Sequence, residues 1–111
     1  MAYVSITGFR AKSIFNAPFF IWHAIRSMAQ VQKDPACLDA SAKFIKGVAH
    51  TVTVWESRKD MVAFMRSGAH REAMRAFPHI GTGYCFGFEA DKAPPWNEVH
   101  QLWLEKGPSP V

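Results

Sequence analysis

A chain of 111 residues holds one domain, and at that length it buries roughly two thirds of the surface it exposes when unfolded. Its 49% hydrophobic and 14% aromatic content excludes a disordered chain, and apolar residues continue along it to Leu104. The net charge of +4 does not by itself indicate a nucleic-acid partner, because Lys12, Lys43, Lys59, Arg71 and Lys92 are scattered among acids rather than clustered.

The opening MAYVSITGFRAK has neither a basic flank followed by an uninterrupted apolar segment nor a small-residue cleavage site, and no run approaches membrane-spanning length. A cytoplasmic protein without a membrane partner is expected, with a single domain over residues 1–106 and a disordered tail, GPSPV, at 107–111. Cys37 and Cys85 have no Cys-x-x-Cys partner, so two buried thiols are expected rather than a disulfide or zinc site.

The first element reads as a strand: in YVSITGF, Tyr3, Ser5, Thr7 and Phe9 alternate with Val4 and Ile6. Asn16 can then cap a helix with Pro18 in its first turn, and Ile21, Trp22, Ile25, Met28 and Ala29 recur at helical spacing up to about Lys33. Residues 38–46 and 49–56 read as two strands joined at Lys46-Gly47, a short connection that favours an antiparallel hairpin.

Ser57 and Asp60 form a capping-box pattern before the stripe Met61, Val62, Phe64 and Met65. At 100° per residue that stripe lies opposite Ala73, Met74 and Phe77, so one straight helix cannot bury both. Ser67-Gly68 sits at the changeover. Glycine weakens a helix by about 1 kcal/mol relative to alanine and serine can cap a new first turn, so a break is expected there. Beyond it His70 shares a face with Met74 at i+4 and Phe77 at i+7, pointing toward the interior or a cavity.

Pro78 and Gly81 end the helical region. GYCFGFEA is a strand with Tyr84, Phe86 and Phe88 on one face and Gly83, Cys85 and Gly87 on the other. Pro94-Pro95 then start a short helix that carries Trp96, Val99, His100 and Trp103 along one side. The order β-α-β-β-α-β with a C-terminal helix is the ferredoxin-like arrangement of the α+β class, a four-stranded antiparallel sheet with both main helices on one face. The other face needs a cover, and a second subunit closing two sheets into one barrel would supply it.

The run TVTVWESRKDMVAFMRSGAHREAM, residues 51–74, resembles the dimeric α/β-barrel proteins of the antibiotic-biosynthesis-monooxygenase type. The likeness lies in a strand ending in Trp-Glu-Ser, a helix with apolar-Ala-Phe, and Ser-x-x-His. Within that superfamily it is similar to the spheroidene monooxygenase group, through Trp55, Met61, Phe64, His70 and Ala73. The resemblance implies a homodimer with a pocket in each half, bounded by the helix after Ser57 and the inner sheet face. It implies a monooxygenase-like oxidoreductase acting on a small apolar or aromatic molecule, with either no cofactor or haem. The histidine that ligates haem in the haem-degrading relatives falls at Met74, whose thioether does not replace an imidazole, while His70 could ligate haem in another register.

For the chemistry, His70 is the candidate catalytic residue, a base, donor or iron ligand, because an unperturbed imidazole changes charge near neutral pH. The competing reading is a histidine bonded to backbone exposed at the break. Trp55 contributes mainly buried area, although its indole N–H can orient a ligand, and Met74 and Phe77 would line the substrate pocket beside it. Arg66, one turn before His70, could meet an anionic group but is more simply solvated. His50 shares a face with Val52 and Val54 and reads as a satisfied core histidine, with His23, His79 and His100 weaker still as candidates. No pair of histidines has close metal-ligand spacing with a carboxylate, so no metal site is expected.

Two other classes compete with the enzyme. One is a non-catalytic small-molecule-binding or interaction module on the same fold. The other is an RNA-recognition domain, which shares the element order, but its base-stacking aromatics belong on the first and third strands and here they sit on the fourth.

Overall fold

The computed structural model describes residues 2–106, and the expected tail at 107–111 lies outside the described residues. In chain order the elements are β1 (Tyr3–Ala11), α1 (Ala17–Gln32), β2 (Cys37–Ile45), β3 (Val48–Trp55), α2 (Arg58–Met65), α3 (Gly68–Ile80), β4 (Gly81–Glu89) and α4 (Trp96–Glu105). The strands form one antiparallel sheet in the order β2-β3-β1-β4, the ferredoxin-like arrangement.

Local chemistry accounts for most of the boundaries. Lys46 and Gly47 both take positive φ, 50° and 80°, as a tight two-residue hairpin with right-handed strand twist requires. Ser57 caps α2: its Oγ accepts from the Asp60 N–H at 3.2 Å and donates to Asp60 Oδ2 at 2.8 Å. The helix breaks where the apolar stripe changes sides, with α2 ending at Met65 and α3 starting at Gly68. Gly68 has φ +54° there, a conformation that a side chain would disfavour.

The register sorts the side chains onto two faces. Ser5, Thr7 and Phe9 lie opposite Thr53, Thr51 and Ala49 and look toward α1, α2 and α3. Val4 and Ile6 lie opposite Val54 and Val52 on the far side, where they bury against Val99 and Trp103 of α4. Gly8 belongs to that side too, and a Cβ on it would collide with the indole of Trp103. Tyr84 fixes the helix there, because its OH donates to the Trp103 carbonyl at 2.7 Å while Trp103 Nε1 donates to the Tyr84 carbonyl at 3.0 Å.

Four expectations change. The far sheet face is covered by the chain's own α4, so the need for a second subunit to cover it lapses. Asn16 stands at the N-cap position of α1 but its side chain makes no capping bond there; its amide donates to Ser13 Oγ instead. Most of the stripe expected for α1 lies outward, since Ile21, Trp22 and Ile25 are 54%, 53% and 65% exposed, and of that stripe Met28 faces inward, together with Phe20, Ala24 and Val31. Neither cysteine is fully buried: Cys37 is half-buried and Cys85 exposed.

Candidate functional site

Between the sheet and the three helices lies a cavity of about 340 Å³. Its floor is the inner sheet face, with Ser5, Thr7, Thr51 and Thr53, and its walls come from α1, α2 and α3. The floor's polar atoms are mostly engaged: the Thr7 and Thr51 hydroxyls bond each other, and Thr53 Oγ1 accepts the Trp55 indole N–H at 2.8 Å. Trp55 is 0% exposed and packs on Phe64 with ring centroids 5.1 Å apart. Its N–H is thus committed to Thr53, which leaves the ring face as its contribution to a ligand.

His70 stands just beyond the break, and Gln30 of α1 holds it there. The Gln30 amide oxygen accepts from the His70 backbone N–H at 2.9 Å, and its Nε2 donates to both the carbonyl and the hydroxyl of Ser67 at 3.0 Å. Gln30 thereby caps the first turn of α3. The Ser67 side chain, expected to cap that turn, instead donates to the Phe64 carbonyl at 3.1 Å. An ion pair from Arg26 to Glu72 at 2.6 Å ties α1 to α3 alongside.

The His70 ring serves two surroundings at once. Its Nδ1 lies 3.2 Å from the Met65 carbonyl, an acceptor left without a helical partner where α2 ends. A carbonyl can only accept, so Nδ1 carries the proton, and in the neutral ring Nε2 is then an acceptor. Nε2 has no hydrogen bond among the described residues, and the residue lines the cavity. Burial pushes the imidazole pKa below its usual 6.5, opposed in part by the bond to Met65. His70 is therefore neutral at pH 7.

Of the other residues singled out from sequence, Trp55, Met74 and Phe77 all line this cavity with His70. Phe77 also packs on Phe9 with centroids 4.6 Å apart. Arg66 does not join them. It lies with Arg71 and Arg75 in a shallow outer groove, and Met65 and Met74 border both spaces. His23, ranked among the weaker candidates from sequence, and Ser27, which sequence does not single out, also line the cavity from α1. The signal for them was the spacing Phe20, Ala24, Met28 and Val31, which marks the same inward face but was outweighed by the larger side chains on the outer one.

The histidines on the far sheet face behave differently. His50 is 1% exposed, and both ring nitrogens are engaged, Nδ1 with the Thr7 carbonyl at 2.9 Å and Nε2 with His100 Nδ1 at 2.8 Å. It is the satisfied core histidine expected. Desolvation, then the neighbouring His50, Lys46 and Arg10, lower the pKa of His100. Among the described residues no group of three or more His, Cys, Asp or Glu could hold a metal ion, and no helix is long and apolar enough to cross a membrane.

No protein-family model matches the sequence, and no curated protein is similar to it. Solved structures do match. SnoaB from Streptomyces nogalater, a cofactor-independent oxygenase, is similar at 13% identity with a TM-score of 0.67, over 85% of this chain and 97% of that one. A protein from Deinococcus radiodurans, described as a candidate antibiotic biosynthesis monooxygenase, is similar at 15% identity and TM-score 0.68, over 86% and 97%. Rv0793 from Mycobacterium tuberculosis is similar at 9% identity and TM-score 0.71, over 83% and 99%. At these identities the likeness is one of fold, and this chain shares the ferredoxin-like fold of those structures.

Proposed function

We propose that this protein is a small-molecule oxidoreductase of the monooxygenase type, acting on an apolar or aromatic substrate in the cavity between the sheet and α1–α3. The observation that carries the reading is the His70 ring: desolvated and neutral, held by Met65 through Nδ1, with Nε2 left to accept a proton inside an apolar space. The fold shared with a cofactor-independent oxygenase supports it.

The chemistry that fits is proton abstraction followed by reaction with dioxygen. A substrate with a CH₂ acidified by conjugation to a carbonyl gives a proton to His70 Nε2, and the carbanion so formed is the reductant of O₂. One oxygen atom ends in the new carbonyl and the other in water, so CH₂ plus O₂ becomes C=O plus H₂O with both electron pairs drawn from substrate. The apolar wall favours this step by excluding water from the carbanion. A cavity of about 340 Å³ is at the lower end of small-molecule sites, which run from about 300 to 1,000 Å³. That suits two or three fused rings.

The residues fit haem poorly. Among the described residues no arginine or lysine lines the cavity to meet its propionates. The RNA-binding alternative is disfavoured because α4 fills the sheet face on which such a domain stacks bases. A homodimer remains part of the proposal on a new ground: α1 turns Phe19, Trp22 and Ile25 outward, and Ile14 and Phe15 ahead of it are exposed as well. So much large apolar surface along one segment marks an interface, and a second copy is its proposed occupant. Light scattering at micromolar concentration is expected to give twice the chain mass, and a monomer would end this part of the proposal.

Oxygen uptake with anthrone tests the activity, its CH₂ being acidified by the carbonyl across the ring. Uptake at a rate above the buffer control and lost in His70→Gln is expected. Saturable anthrone binding without uptake would favour the non-catalytic binding module instead.

A further inference from the structure

The α1 wall of the cavity carries two polar atoms with nothing to bond. His23 Nδ1 and Ser27 Oγ are buried without a hydrogen-bond partner among the described residues, and both residues line the cavity. They are four residues apart on α1, which stacks them one turn apart on the same helix face. A buried polar atom left unpaired is costly, and the rest of the fold avoids that cost: His50 engages both nitrogens, and the indoles of Trp55 and Trp103 both find acceptors. Two such atoms side by side on one cavity wall point to a group that comes from outside.

We infer that His23 and Ser27 are positioning residues that hold a hydroxyl group on an otherwise apolar ligand. The inference rests on the cavity being a small-molecule site, as proposed above. An imidazole Nδ1 donates in one tautomer and accepts in the other, while a serine hydroxyl does either. A ligand hydroxyl satisfies the pair in both cases, giving its proton to Nδ1 and accepting from Ser27, or accepting from Nδ1–H and giving its proton to Ser27. A carbonyl satisfies both only when Nδ1 carries the proton, and a hydrocarbon satisfies neither. A carboxylate would bring a charge into a lining that holds no arginine or lysine among the described residues. The rest of this wall, Phe20, Ala24, Met28 and Val31, is apolar, so the hydroxyl is fixed at one place on a body that makes no other polar demand on α1.

Naphthalene, 1-methoxynaphthalene and 1-naphthol, titrated calorimetrically into the full chain, test this. The wild type is expected to bind 1-naphthol about tenfold more tightly than naphthalene, the equivalent of about one net hydrogen bond, with 1-methoxynaphthalene between them. Ser27→Ala and His23→Leu should each remove most of that preference, read as the ratio of 1-naphthol to naphthalene affinity within each variant, while Ser27→Thr and His23→Asn, which keep a polar atom near the same place, retain it. Ser27→Ala should also raise the melting temperature of the ligand-free protein, because an orphaned hydroxyl is gone. If naphthalene binds with no preference for 1-naphthol, or the preference survives in both Ser27→Ala and His23→Leu, ordered water alone meets the pair and the inference is overturned. If none of the three binds the wild type, the small-molecule reading of the cavity fails first and this inference goes with it.

Discussion

The two faces of the sheet carry histidines of opposite kinds. On the α4 face His50 is sealed, with a carbonyl on one nitrogen and His100 on the other, and Trp103 packs edge-on against it with centroids 5.1 Å apart. On the α1–α3 face, among the described residues, His70 is bonded on one nitrogen only and His23 Nδ1 has no partner, and a cavity opens beside both. Burial alone therefore does not separate the sealed histidine from the candidate site histidines in this fold. The satisfaction of each polar atom does, because a fully bonded ring has nothing left to offer a ligand while a half-bonded one is already oriented for it.

The largest expected effect is on the closed face. Trp103→Ala removes the indole over Gly8 together with its bond to Tyr84, and by the usual cost of emptying a large aromatic site it should destabilise the protein by about 3–5 kcal/mol in urea unfolding. A loss below that of His70→Ala would show that α4 is a loose cover and would break the comparison. His50→Ala comes next, because it strips a partner from both the Thr7 carbonyl and His100, at about 1–3 kcal/mol for each group left buried and unpaired.

His70→Ala leaves only the Met65 carbonyl unpaired, at about 1–3 kcal/mol, yet oxygen uptake should fall by about 10²-fold or more, the usual yield of a positioned base. Unchanged ligand binding and uptake with a clear drop in melting temperature would make His70 part of the break's architecture alone. The pH dependence separates the faces less strongly. Burial holds the folded-state pKa of His70 below 6.5, so the unfolded chain binds more protons once the pH drops below that value. Stability should be level above it, fall as the pH decreases, and stop falling once the folded His70 is itself protonated. His100 shifts the same way, so the difference between wild type and His70→Ala profiles isolates the cavity histidine. The smallest effect is the opposite in sign: Ser27→Ala should stabilise the free protein by up to about 1 kcal/mol, raising its melting temperature by a few degrees.

Much of this was legible in the sequence because it depends on residues close together in the chain. The Lys46-Gly47 hairpin, the Ser57 cap, the alternation of β1 and β4, and the break at Ser67-Gly68 all follow from turn chemistry and side-chain period over a few residues. His70 was placed beside Met74 and Phe77 for the same reason, and its alternative role, bonding backbone at the break, was also readable; the ring's two nitrogens accommodate both. What tertiary structure alone decided lies in contacts between distant segments. Gln30, 40 residues from the backbone N–H that it accepts from, caps α3, a partnership no local pattern announces. The apolar far face was filled by α4 because Gly8 leaves room for Trp103, where sequence pattern offered only an uncovered surface. Above all, α1 is apolar on two sides, and period shows that a helix has a hydrophobic stripe without showing which stripe meets the sheet. The outward choice of Trp22 and Ile25 turned His23 and Ser27 inward, and that rotation, fixed by packing against α3 and β2, is what gave the cavity wall its polar pair.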